Sequence, residues 1–138
     1  MKSVIVDASF LVSLTSVKER QHAACLQVAQ GLNSRLIIPI TVIPEAAYLI
    51  ARRISHRVMR AFLSKLQNPQ WQIESITAAD FERATQILDR YQDAELDFAD
   101  STIVAVAERL HVETILTLDR RDFQMIRPKH TPYFTLLP

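Results

Sequence analysis

The chain has 138 residues, 49% of them apolar and 22% charged, with a formal net charge of +1. That is the composition of one globular domain, 1–138, and it excludes a disordered or fibrous chain. A single cysteine, Cys25, excludes an internal disulfide, and a single glycine, Gly31, leaves no glycine-rich loop to cradle a nucleotide phosphate.

In chain order, residues 3–7 (SVIVD) form a short β-branched run, the pattern of a buried strand, and it ends in Asp7. The N-terminal apolar run is too short for a leader because Asp7 interrupts it. Residues 10–18 carry Phe10, Leu11, Leu14 and Val17 at helical spacing. Residues 22–30 repeat that period, with Cys25 as a buried thiol and Gly31 as the residue just past the helix end. Residues 35–38 (RLII) predict a second buried strand. The longest apolar stretch, 36–44, contains two prolines and falls far short of the roughly 20 residues that span a bilayer. A cytoplasmic protein with no membrane partner is therefore expected.

Thr41 is placed to cap a helix running to about residue 53, with Pro44 and Glu45 in its first turn. Another helix, 55–66, ends at Asn68-Pro69. Residues 70–76 alternate polar positions with Trp71, Ile73 and Ile76, predicting a third strand. Thr77-Ala-Ala-Asp80 resembles a capping box and starts a helix to about residue 91. Asp97 begins the next helix, with Phe98, Ile103, Val104, Val106, Ala107 and Leu110 available for its apolar surface. A fourth strand at 114–118, a short turn or helix at 121–126 and a fifth strand at 133–137 complete the chain. Strands alternating with helices imply βαβ crossovers, hence an α/β fold of three layers, α/β/α, around a mostly parallel five-stranded sheet.

Open parallel sheets bind ligands beyond the carboxyl ends of their strands. Asp7 and Asp119 end two of the predicted strands, Glu45 follows a third, and Asp97 and Asp100 open the helix that feeds the fourth. Each acid alone has an ordinary use as a helix cap or a first-turn residue. Brought together they repel one another unless a cation neutralises them. With no Cys or His at zinc spacing, the donor set suits Mg²⁺ or Mn²⁺, ions that serve phosphodiester hydrolysis. Basic residues flank this acidic set. Arg52, Arg53, Arg57, Arg60 and Lys65 occupy a stretch without acids, and Arg120, Arg121, Arg127 and Lys129 enrich the tail. They suit a polyanion, or equally a set of solvated helix faces.

The order Val-Asp7-Ala-Ser9, Pro44-Glu45, Leu-Asp97-Phe-Ala-Asp100-Ser101 and Leu-Thr117-Leu-Asp119-Arg-Arg-Asp122-Phe123 resembles PIN-domain ribonucleases, in particular the toxin half of VapBC toxin–antitoxin pairs. The likeness covers nearly the whole chain and is most specific over 96–123. It implies a PIN fold and metal-dependent endonucleolytic cleavage of RNA. By position it makes Asp7, Glu45 and Asp100 the principal metal-site acids and Asp119 the fourth, with Asp97 and Asp122 secondary. Ser9 and Thr117 match hydroxyl positions that orient a carboxylate or a metal-bound water. The resemblance also implies a cognate antitoxin and a homodimer, with Arg52, Arg53, Arg57, Arg60, Arg120 and Arg121 as contacts for RNA or antitoxin.

Other readings fit less well. A PIN-fold processing nuclease or binding scaffold without an antitoxin shares every motif. A Mg-binding receiver module needs adjacent acids after its first strand and a lysine ending its last, and this chain offers a single Asp7 and no such lysine before Lys129. A haloacid-dehalogenase phosphatase needs an acid where Ser9 stands. The four histidines have no assigned role, and no aromatic-rich stretch is legible as a platform for stacking RNA bases.

Overall fold

The β-branched run near the N-terminus becomes the central strand. In the computed structural model, which describes residues 2–138, β1 (Ser3–Val6) buries Val4, Ile5 and Val6. A strand apolar at successive positions is stable only where both faces are covered. The chain continues through α1 (Ala8–Leu14), α2 (His22–Gly31), β2 (Arg35–Pro39), α3 (Val42–Arg53), α4 (His56–Lys65) and β3 (Trp71–Glu74). It then forms α5 (Ala78–Arg90), a 3₁₀ turn (Gln92–Ala94), α6 (Phe98–Leu110), β4 (Thr114–Leu116), α7 (Arg120–Met125) and β5 (Thr135–Leu137).

The five strands lie in the order β3-β2-β1-β4-β5, and every pairing is parallel. The chain first steps outward from β1 to β3, then returns across the sheet to β4 and on to β5. Right-handed crossovers in opposite directions put α1–α4 on one face and α5 and α6 on the other. Accordingly, α3 packs on α4 and α1, and α5 packs on α6. The reversal leaves β1 beside β4 with their connections diverging, the place where an open sheet forms a crevice beyond its strand ends.

Helix α6 is buried from Asp100 to Ala107 without interruption. A helix covered on all sides has to sit inside the fold, and it carries Asp100 in with it. Side-chain caps start α4 and α5. Ser55 Oγ accepts from Val58 N at 3.1 Å, and Thr77 and Asp80 form a reciprocal capping box with both bonds at 3.0 Å. Cys25 is fully buried, as expected of a packing thiol. Among the described residues no helix is long and apolar enough to cross a membrane.

Several expectations change. Gly31 closes α2 from inside and has no left-handed backbone; Leu32 is the cap residue. The left-handed positions are Glu95 (φ 53°) and His111 (φ 55°), so neither the 3₁₀ turn nor α6 depends on glycine to stop. Thr41 makes no capping bond, because its hydroxyl meets that of Thr102 on α6 at 2.6 Å. Helix α1 stops at Leu14, leaving Val17 exposed. Phe98 and Ile73 are exposed rather than core residues, Ile73 because β3 lies at the sheet edge.

Candidate metal and active site

The crevice between β1 and β4 starts at Asp7. Asp7 N donates to Leu116 O at 2.9 Å, adding one bond between β1 and β4 just past the end of β1. The Asp7 carboxylate is fixed on both oxygens. Oδ1 accepts from Ala8 N at 2.7 Å, capping α1, and Oδ2 accepts from Thr117 Oγ1 at 2.7 Å and Ser9 Oγ at 3.2 Å. Each hydroxyl oxygen also accepts a backbone N–H, Thr117 from Asp119 at 2.9 Å and Ser9 from Leu118 at 3.0 Å. With those N–H groups occupying oxygen lone pairs, the hydroxyl protons are free to point at Asp7.

Asp100 comes to the crevice from the other side, in the first turn of α6, and is only 6% exposed. Burial pushes its carboxyl up to about 9, and the charges of Asp7, Asp97, Asp119 and Glu45 push the same way. Burial also raises Glu45, with Asp97, Asp7 and Asp119 adding to it. Asp119 is raised by burial and by Asp122 and Asp97, while Arg121 opposes them. Asp7 is raised too, since burial outweighs its three hydrogen bonds. Carboxylate oxygens of Asp100, Asp119 and Asp122 lie within 4.8 Å of one another. The six acids singled out in the sequence therefore share one neighbourhood. Asp7 and Asp100 form its buried floor and Glu45, Asp97 and Asp119 its exposed rim.

Asp80 shows what the fold does with a buried aspartate that has a structural task. It is 3% exposed, yet Arg109 Nε donates to both its oxygens at 3.0 and 3.1 Å, and its carboxyl is held below the usual range despite burial. Asp100 is buried nearly as deeply and is surrounded by acids instead. All-oxygen donors around a buried carboxyl fit a hard divalent cation, which would favour the ionised forms that neighbouring acids oppose.

Asp97 occupies the cap position of α6, but its side chain makes no capping bond. The ordinary use for this acid is thus not the one the structure shows. The basic candidates separate. Arg53 pairs with Glu19, Arg52 lies over the Tyr48 ring at 6.0 Å, and Arg60 contacts His56. Arg57 and Arg121 are exposed. Arg120 is committed elsewhere, donating to Leu136 O at 3.3 Å and Pro138 O at 2.6 Å, so it clamps α7 to β5. His22 and His130 bond the backbone carbonyls of Ser13 and Val112, consistent with packing roles. Spacing gave no sign of the Thr41–Thr102 bond or of the Arg109–Asp80–Glu74 cluster, because each joins residues about thirty or more positions apart.

The sequence profile of the PIN domain family matches residues 4–127. The ribonuclease VapC26 of Mycobacterium tuberculosis is 34% identical over 135 residues, 98% of this chain and 100% of its own length. Among solved structures, the Mycobacterium tuberculosis toxin VapC20, described as cleaving the sarcin-ricin loop, superposes with a TM-score of 0.80 at 24% identity. That match covers 85% of this chain and 90% of the other. A toxin–antitoxin complex from Klebsiella pneumoniae matches with a TM-score of 0.68 at 22% identity, over 96% and 99% of the two chains. At these identities the solved structures speak for the fold alone.

Proposed function

The chain belongs to the PIN-domain family, and from that premise we propose that it is a divalent-metal-dependent endoribonuclease, the toxin of a toxin–antitoxin pair acting in the cytoplasm. The observation that carries the reading is Asp100, buried among carboxylates that all raise it. The ribonuclease named among its relatives, alike over almost the full length of both chains, supports the same substrate class.

In this reading Asp7, Glu45, Asp100 and Asp119 hold Mg²⁺ or Mn²⁺, with Asp97 and Asp122 at the margin. An ion held by these residues would lower the pKa of an attacking water and offset the charge that gathers on the scissile phosphate. The chain's own work is positioning. Thr117 and Ser9 keep Asp7 in one orientation, and α6 holds Asp100 opposite it. Asp97, uncommitted to its helix end, remains free to orient water or substrate. An antitoxin would silence the site by placing one basic side chain among these acids, and a second copy of the chain completes the assembly.

The test is cleavage of end-labelled RNA by the purified protein, with Mg²⁺, Mn²⁺ or EDTA, followed by mapping of the new ends. Asp7→Asn and Asp100→Asn are expected to lose cleavage while remaining folded. Full cleavage in EDTA, or by both variants, overturns the reading.

A further inference from the structure

Phe98 is the first residue of α6, yet it is 41% exposed. Its ring meets that of Phe81 on α5, itself 55% exposed, with centroids 5.7 Å apart and planes tilted by 60°. Ile40, Thr41, Ser75 and Thr77 line the same shallow depression. Apolar residues scattered singly over a surface need no explanation. Two paired rings and an exposed isoleucine in one depression are a different case.

The depression draws on the same two helix starts as the acidic site, those of α3 and α6. Phe98 follows Asp97 directly and precedes Asp100 by two residues on the same helix. Thr41 stands at the start of α3, four residues before Glu45, and its bond to Thr102 ties that turn to α6. An RNA strand with a phosphate among the acids must lay an adjoining nucleotide against the neighbouring surface. RNA is read largely through unpaired bases stacked on aromatic rings.

We propose that the Phe81–Phe98 ledge receives an unpaired base next to the scissile phosphate, an inference that rests on the nuclease reading above. The lining favours a base over an aliphatic side chain, since it sets aromatic faces beside hydroxyls. Thr77 Oγ1 accepts from Asp80 N, which leaves its proton for a base edge, and the Ser75 side chain lies at the same margin. Stacking accepts any base, so the ledge sets the position and unpaired state of the nucleotide more than its identity.

The test uses the full chain and a fluorescent single-stranded RNA oligonucleotide, with a matched abasic strand as control. Affinities are read in an Asp7→Asn background and cleavage kinetics in the otherwise unchanged protein. The double variant Phe81→Leu/Phe98→Leu is expected to bind the oligonucleotide about 10-fold more weakly, to bind the abasic strand as before, and to raise KM with kcat near that of the parent. Phe98→Trp, which keeps a ring, is expected to bind as the parent does and so separates stacking from a folding defect. Unchanged affinity and KM in the leucine variant, with the parent still cleaving RNA, overturns the ledge and leaves the nuclease standing. No cleavage by the parent with any divalent ion, but the same loss of oligonucleotide affinity, overturns the nuclease and keeps the base-binding ledge. A shift in oligomeric state on sedimentation without a change in RNA affinity gives the patch to a second copy of the chain and overturns the proposal.

Discussion

Thr117 Oγ1 donates to Asp7 Oδ2 at 2.7 Å across 110 residues of chain, joining the ends of the two strands that border the crevice. The same oxygen accepts from Asp119 N, so one hydroxyl sets the position of two of the proposed ligands. Thr117→Val keeps the shape and removes both bonds, leaving Asp7 Oδ2 with only the longer Ser9 bond and the Asp119 N–H without a partner. A loss of about 1–3 kcal/mol in urea unfolding is expected, together with a fall in cleavage, whereas Thr117→Ser should stay near the parent in both measurements.

The acids of the site make stability depend on pH in an unusual direction. The Asp100 carboxyl is raised from 3.8 to about 9 in the fold, so the folded state retains a proton that the unfolded chain releases. Its contribution is complete below the ordinary value and is lost as pH rises toward about 9. Glu45, Asp7 and Asp119 shift in the same direction. In EDTA the melting temperature should fall between pH 6 and pH 9, Asp100→Asn should flatten the decline, and Mg²⁺ or Mn²⁺ should reverse it. A flat profile for the parent protein in EDTA would count against the raised carboxyl.

The Arg109 cluster has the opposite sign. Asp80 and Glu108 are held below the ordinary range by Arg109 and Arg83 respectively, so their contribution is present above the ordinary carboxyl values and is lost as pH falls through the depressed ones. Arg109→Ala leaves Asp80 buried without its partner and frees Glu74 at the end of β3. A destabilisation of about 1–3 kcal/mol at neutral pH is expected, with the gap to the parent closing in acid. Denaturant unfolding at several pH values reads both.

Arg120 tests the division among the basic residues. Because its guanidinium donates to the carbonyls of Leu136 and Pro138, Arg120→Ala should speed amide exchange in β5 and cost about 1 kcal/mol. It should leave the salt dependence of RNA binding unchanged. A reduced salt slope would return Arg120 to the RNA contacts.

What could be read from the sequence was local. Strand β1 and the Thr77–Asp80 box follow from residues a few positions apart. The acids gathered because strand ends and helix starts meet at one edge of a parallel sheet. Phe98 and Ile103 are both apolar candidates for the covered surface of α6, yet one is exposed and the other fully buried, since only the packed neighbour decides which face is covered. The order of the strands, the Arg109 cluster and the work of Arg120 depend on contacts between distant segments, which spacing does not encode. Gly31 is the last residue of α2 and not the one past it, and the helix ends at an extended Leu32 with no left-handed residue.

Helix α6 is gripped at its far end, where Arg109 holds Asp80 and Glu74, while Asp100 sits nine residues away in its first turn. At 1.5 Å per residue that is a lever of about 14 Å. Damage to the acid cluster can therefore begin at contacts outside it. A natural variant ranked only by its nearness to the acids would be misjudged, because slack introduced at Asp80 or Glu74 is delivered along the helix to the carboxylate at its tip.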